Sequence, residues 1–249
     1  MDLARGYVDS AIKFVFPGKC FDELFVKFNF DFGSPIVKEC GSTALSRMLG
    51  LAITLGSVLL FVPQILAILR AKSAEGISLC SQLLALLGAV STAAYSYSKG
   101  FVFSQWGDSF FVSIQIVVII MLILYYSPNS AYAFPFFSLC WAGFFAIQGG
   151  YIPMEVLSFL LKASIPIVFA SKGIQIWSNH SARGTGQLSM VSSFLQLAGT
   201  LARVFTSVKE TGDMTLIAGF AIAAALNAII FSQFFVYGPP KRDKKKKTQ

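Results

Sequence analysis

Glu155, Lys162 and Arg203 are ionisable side chains set in long apolar stretches, where a charge costs about 2.5–3.5 kcal/mol on insertion scales and is kept for a partner or a cavity. Two chemistries suit them. Glu155, near the start of its span, and Arg203, near the end of its own, fall toward the same, luminal side of the membrane, where an ion pair would neutralise both. Alternatively Arg203, or Lys162 about two turns deeper than Glu155, would hold a lipid phosphate, Arg through bidentate hydrogen bonds. Catalysis finds no such support. His180 is the one histidine; there is no glycine-rich phosphate loop, no pair of carboxylates in one span and no nucleophile elbow. Without a general acid and base, no glycosyl transfer is expected, and the chain is read as non-enzymatic. Cys20, Cys40, Cys80 and Cys140 make no C-x-x-C or His/Cys cluster, so neither a metal nor a cofactor is expected.

The elements that carry these groups must be membrane helices. The 249 residues are 55% hydrophobic and 13% charged, too little polar surface for a soluble globule. No charge occurs in the 46 residues between Asp108 and Glu155, enough for two crossings at about 20 residues each, with a turn at Ser127-Pro128-Asn129-Ser130. Continuous runs, not alternation, favour helices over a barrel. Seven spans result: Met48 to Leu69, Ile77 to Ser98, Ser109 to Tyr126, Ala131 to Gln148, Pro153 to Lys172, Leu188 to Val208 and Met214 to Tyr237. Ten cations, Arg70, Lys72, Lys172, Arg183, Lys241, Arg242 and Lys244 to Lys247, fall on one side, against Lys99 and Lys209 in the opposite loops. The cation-rich side is expected to be cytosolic, with the C-terminus inside and the N-terminus luminal or outside.

The first 45 residues lack the apolar core of a signal peptide. Phe21, Leu24, Phe25 and Phe28 lie on one helical face, either on the luminal membrane surface or as a cap on the bundle. A luminal location would permit a Cys20–Cys40 disulfide without demanding it.

A shift of 108 residues aligns Ser73-Ala74-Glu75-Gly76 with Ser181-Ala182-Arg183-Gly184, with further identities at Ile68/Ile176, Ser81/Ser189, Leu87/Leu195, Thr92/Thr200 and Ala94/Ala202. Both copies fall between the first two helices of a three-helix unit. The expected fold is therefore an all-α membrane protein whose seven transmembrane helices form two parallel three-helix repeats joined by a linking helix (3+1+3). The boundaries are a luminal amphipathic segment at 1–45; a first repeat at 46–107 with its hairpin at 70–77, completed by a third helix at 108–126; a linking helix at 131–148; a second repeat at 153–237 with its hairpin at 173–187; and a basic tail at 238–249. Pro63 and Gln64 stand in the first span. Proline removes an N–H and frees a carbonyl, and such groups are tolerated in a bilayer only against protein or water. Pro63 is thus either a hinge beside a polar cavity or a passive kink. At the same offset the second copy has Ser171-Lys172, and its nearest proline is Pro166.

The stretch "VPQILAILRAKSAEGIS" from Val62 resembles the PQ-loop family of seven-helix membrane proteins. "CFDELFVKF" from Cys20, "AKSAEGISL" from Ala71, "GTGQLS" from Gly184 and "LARVFTSVKETGD" from Leu201 make the chain similar to the endoplasmic-reticulum members through which dolichol-phosphate-linked mannose and glucose are used as glycosylation donors. The resemblance implies a role in N-glycan precursor assembly, glycosylphosphatidylinositol anchor synthesis and O- and C-mannosylation, by binding, presenting or flipping the lipid-linked sugar. The candidate groups are Pro63 and Gln64, the hairpins Ser73, Ala74, Glu75, Gly76 and Ser181, Arg183, Gly184, Thr185, Gly186, Gln187, and Arg203 for the phosphate. The alternatives are a small-solute carrier of sugars or amino acids, and a chaperone or scaffold for membrane glycosyltransferases.

Lys246 and Lys247 stand fourth and third from the end, the spacing of a di-lysine address read by coat proteins, which suits retention in the endoplasmic reticulum membrane. The same lysines serve as a positive-inside anchor. The tail is too short and too near the membrane for nucleic acid. Asn179-His180-Ser181 is a formal N-glycosylation acceptor that the topology places on the cytosolic side, unused.

Overall fold

The computed structural model of the chain describes residues 15–16, 18–27, 34–75, 77–128, 130–185 and 190–237. Its long helices are α1 (Pro35–Val58), α2 (Val62–Ala71), α3 (Leu79–Ser98), α4 (Gly107–Tyr125), α5 (Ala133–Gln148), α6 (Met154–Ser181), α7 (Met190–Glu210) and α8 (Met214–Tyr237), and no strand occurs among the described residues. α1 and α2 together make the first crossing, so the chain passes seven times. One end of the bundle carries Pro35 and the loops at 99–106, 149–153 and 211–213; we call it the amino-terminal end. The other, the hairpin end, carries the links at 72–78, 126–132 and 182–189.

The first helix begins earlier than its apolar window at Met48. Ser34 accepts a hydrogen bond from Val37 N (3.3 Å) and Pro35 occupies the first turn, a strong start signal. Cys20 and Cys40 form a disulfide that clamps the helical turn Lys19–Phe21 and the π-helical Asp22–Val26 to α1, with Val37 and Cys40 buried near Phe16. Residues 35–45, read as part of a peripheral segment, thus belong to the first helix. Phe28 lies outside the described residues.

The interruption of the first crossing also differs from the expected proline kink. Helix α1 stops at Val58, one turn before Pro63, and Pro63 sits in the first turn of α2, where its missing N–H has no intrahelical role. The groups freed by the break are satisfied by one side chain of α4. Gln115 Nε2 donates to Ser57 O (2.8 Å) and Phe111 O (3.0 Å), while its Oε1 accepts from Phe61 N (2.8 Å). In hydrocarbon such groups must be paired within the protein.

In the first unit α4 packs against both α1 and α3; in the second, α8 packs against both α6 and α7. The units meet through α3 on α6 and α1 on α7. Exchanging α1 with α6, α3 with α7 and α4 with α8 maps one contact onto the other, which is the relation expected of two parallel repeats about an axis along the membrane normal. The six helices close a ring. Helix α5 lies outside it, packs on α4 and has no buried residue.

Among the described residues six helices reach the length and apolarity of a membrane span, counting α1 and α2 together; α7 does not, because one of its faces is polar. Helix α6 runs to Ser181, nine residues past the expected end at Lys172, so residues 173–181, read as part of the second hairpin, are helical. The extension is held by α8: Asn179 Nδ2 donates to Gln233 Oε1 (2.7 Å), Gln233 Nε2 to Ile176 O (2.9 Å), and His180 Nδ1 lies 2.6 Å from Tyr237 OH.

Replacing Gln115 by Ala leaves Phe61 N unpaired at a helix break and Ser57 O with its backbone bond from Leu60 N alone. A loss of about 1–3 kcal/mol is expected, read as a lowered Tm in detergent. Gln64→Ala should change little, since Gln64 makes no hydrogen bond to a described residue.

Candidate functional site

Ser193, Gln196, Thr200, Arg203 and Ser207 recur at intervals of three and four along α7, a single polar stripe. At the amino-terminal end this stripe is sealed, Arg203 being 3% exposed and Ser207 1%. At the hairpin end Gln196 is exposed on the same stripe, flanked by exposed Phe194 and Leu195. Helix α3 shows the same gradient, with Ser91 and Ala93 to Ser96 buried and Leu83 and Leu84 exposed. The two units are closed on each other at the amino-terminal end, whereas toward the hairpins Gln196 of α7 is exposed and Ser193, one turn further along the stripe, is 5% exposed.

Two contacts make the closure. Arg203 Nη2 lies 2.5 Å from Asp108 Oδ1, its Nε donates to Oδ2 at 3.2 Å, and its Nη1 donates to Ser104 O at 2.8 Å. This is a bidentate, charge-assisted pair, and Asp108 in the first turn of α4 also meets the positive end of that helix. Tyr95 OH donates to Asp213 Oδ2 at 2.6 Å, and Asp213 Oδ1 caps α8 by accepting from Thr215 N (2.9 Å) and Leu216 N (3.2 Å). Tyr95 and Arg203 are separated by the repeat offset of 108. Each ties the second helix of its own unit to an aspartate at the start of the other unit's third helix. A third tie joins Arg47 of α1 to Glu210 of α7, 3.5 Å between Nε and Oε2. Close packing supports the first contact: a Cβ on Gly50 would fall 2.7 Å from Ser104 O, so only glycine lets the 103–105 turn, with its acceptor for Arg203, sit on α1.

The expected Glu155–Arg203 pair is absent. Glu155 and Lys162 are exposed on the outer side of α6, away from Leu157, Leu161 and Ser164 on its buried face. Arg203 turns inward to Asp108, so it is no free phosphate ligand. Pro63 is exposed and Gln64 half-buried. In the first hairpin Ser73 Oγ accepts from Glu75 N (3.2 Å), Ser73 and Glu75 are exposed and Ala74 is half-buried. In the second, Ser181 ends α6, Gly184 N donates to Asn179 O (3.1 Å), and Thr185 is buried at 1%. Lys72 and Arg183 leave their helices with φ of 49°, a left-handed position that favours glycine. Gly76, Gly186, Gln187, Lys246 and Lys247 lie outside the described residues. Asp108, Tyr95, Asp213, Gln115 and Lys172 were not among the sequence candidates; the one available signal was that Tyr95 and Arg203 share the repeat offset.

Helices α3, α4 and α5 enclose a groove of about 670 Å³. Its walls are apolar, with Trp106, Phe110, Phe137, Trp141 and Phe144 prominent, and Phe137, Trp141 and Phe144 stack in sequence at 6.1 and 5.8 Å. Tyr97 and Gln148, at the carboxyl-terminal ends of α3 and α5, give it a polar rim.

Removing one member of the buried pair strands the other. Arg203→Met is expected to cost about 3–5 kcal/mol, whereas Arg203→Met with Asp108→Leu recovers most of that loss, as thermal unfolding of the purified variants will show.

Residues 45–105, which span most of α1, α2 and α3, match the PQ loop repeat. The chain is 28% identical over 166 residues to human solute carrier family 66 member 3, covering 67% of this chain and 81% of that protein. Among solved structures it is similar to a eukaryotic SWEET transporter determined at 3.7 Å, with a TM-score of 0.64 at 16% identity, over 79% of this chain and 96% of that one. Helix order, two-unit ring and matched repeat agree: the chain carries a match to the PQ loop repeat over residues 45–105 and has the seven-helix fold of a SWEET transporter.

Proposed function

We propose that the protein is a non-enzymatic factor of the endoplasmic reticulum membrane that binds dolichol-phosphate-linked mannose and glucose and makes them available as glycosylation donors, as the mannose-P-dolichol utilization defect proteins it resembles do. The observation that carries this reading is the polar stripe of α7 inside a bundle otherwise built for lipid. Polar side chains at that depth need a polar occupant or each other, and Gln196, toward the hairpin end, stays exposed. The aromatic groove of α3, α4 and α5 supplies the complementary surface for a polyisoprenyl chain, and its volume lies in the range of ligand sites. An amphiphile combines those two chemistries.

The Cys20–Cys40 disulfide supports a luminal amino-terminal end, since such bonds persist in oxidising compartments. The cations of the hairpins and the tail support a cytosolic hairpin end. Coat proteins that read Lys246 and Lys247, and membrane glycosyltransferases that take the donor, are the proposed protein partners.

A small-solute carrier is the second reading. It is favoured by the paired closure of the two units at one end, Arg203–Asp108 and Tyr95–Asp213, and by the likeness to the SWEET transporter fold. Uptake of free sugar into proteoliposomes, with no binding of a lipid-linked sugar, would establish it over the first.

Cells lacking the protein are expected to accumulate truncated lipid-linked oligosaccharides despite normal donor synthesis; a normal glycan profile refutes the donor reading. Orientation is testable separately. Asn179 is a poor reporter, because it is 7% exposed and bonded to Gln233, and so stays unmodified on either face. Acceptor loops spliced into the 149–153 and 126–130 turns should be glycosylated only in the first case; the reverse pattern would invert the topology.

A further inference from the structure

Lys172 lies on the stripe of α6 that carries Leu157, Leu161, Ser164 and Asn179, the buried face of that helix. Its Nζ reaches across to α7 and donates to Gln196 Oε1 at 2.6 Å. Gln196 belongs to the polar stripe, and the same stretch of α7 meets Asn227 of α8, whose Nδ2 lies 3.4 Å from both Gln196 O and Thr200 Oγ1. Lys172, Gln196, Thr200 and Asn227 therefore converge where α6, α7 and α8 of the second unit meet. Lys172 stands nine residues before the end of α6, about 14 Å along the helix axis, within reach of a group entering from the hairpin end.

Half-buried, it differs electrostatically from the cations at the amino-terminal end of the bundle. Arg203 has Asp108 and Arg47 has Glu210. Among the described residues no carboxylate lies within 4.0 Å of Lys172 Nζ. An ammonium has three N–H donors, and a neutral amide takes one. Charge inside a membrane bundle is retained for a partner, and here the missing partner is an anion. The repeat sharpens the point, since the first unit has the neutral Gln64 at the corresponding position.

We propose that Lys172 is an anion-binding residue at the junction of α6, α7 and α8 and that it takes the phosphate ester of a glycosyl phosphate, with the amide and hydroxyl groups of Gln196, Asn227 and Thr200 facing the sugar. The proposal deepens the donor-binding reading and rests on it for the lipid portion. The same chemistry is offered by a soluble sugar phosphate.

The test uses full-length protein in proteoliposomes, with three probes: citronellyl phosphoryl mannose, the phosphate-free citronellyl mannoside, and soluble mannose 1-phosphate. Wild type should prefer citronellyl phosphoryl mannose to the mannoside. Lys172→Gln, which keeps a side chain able to bond Gln196, should weaken the phosphate probe by about 10- to 100-fold, the worth of a charge-assisted hydrogen bond. Lys172→Arg should retain most of the affinity, and binding of the mannoside should not change. If only mannose 1-phosphate shows this dependence, the anion site stands and the lipid-donor reading falls. Equal binding of phosphorylated and phosphate-free lipid probes by wild type, or unweakened phosphate binding by Lys172→Gln, overturns the anion site while leaving the donor reading intact. Failure of wild type to bind either phosphate probe overturns both.

Discussion

The contact between Arg203 and Asp108 fixes how the two halves of the molecule face each other. A guanidinium cannot shed its proton in a protein, so once α7 carries Arg203 toward the middle of the bundle, a carboxylate and a backbone acceptor must meet it there. Asp108 and Ser104 do so. That meeting requires the 103–105 turn to press on α1, which only Gly50 allows, and it draws the second helix of one unit onto the third helix of the other. The smaller contact of Tyr95 with Asp213 does the same across the symmetry axis without a cation. One end of the ring is thereby committed to protein–protein contact, and the polar remainder of α7 is left for the opposite end.

The two repeats solve the same backbone problem differently. In the first, the crossing is cut into α1 and α2 and a glutamine of α4 spans the cut. In the second, α6 continues through Pro166, and a glutamine of α8 bonds the helix near its far end instead. Each third helix thus supplies one glutamine to the first helix of its own unit, at different depths. The second unit therefore has no break at the position matching Pro63, and it is there that Lys172 replaces an amide.

Much of the fold was legible because hydrophobic runs, loop cations and the hairpin repeat are local features. The last span is observed as expected, Met214–Tyr237. Boundaries failed where polar caps or tertiary bonds extend a helix beyond its apolar run, at Ser34 and at Asn179. The site was less legible. Arg203 was recognised as costly but given the wrong partner, since pairing was inferred from depth along the chain, whereas the ring places Asp108, 95 residues away, beside it. Tyr95 and Arg203 are equivalent in position and unlike in chemistry, so a search for identities passes over them. Gln115 has no pattern of its own; its role exists only because α1 breaks opposite it.

Helix α5 buries no side chain and touches the ring through α4, yet its contribution is decisive in another sense. An added pass changes parity, and parity alone decides whether the carboxyl-terminal half enters the bilayer upright or inverted. Shortened to a surface loop, the linker would deliver an upside-down second half, with Asp213 and Arg203 on the wrong side of the membrane from Tyr95 and Asp108. The least embedded segment of the chain is thus the one whose loss no local repacking could repair.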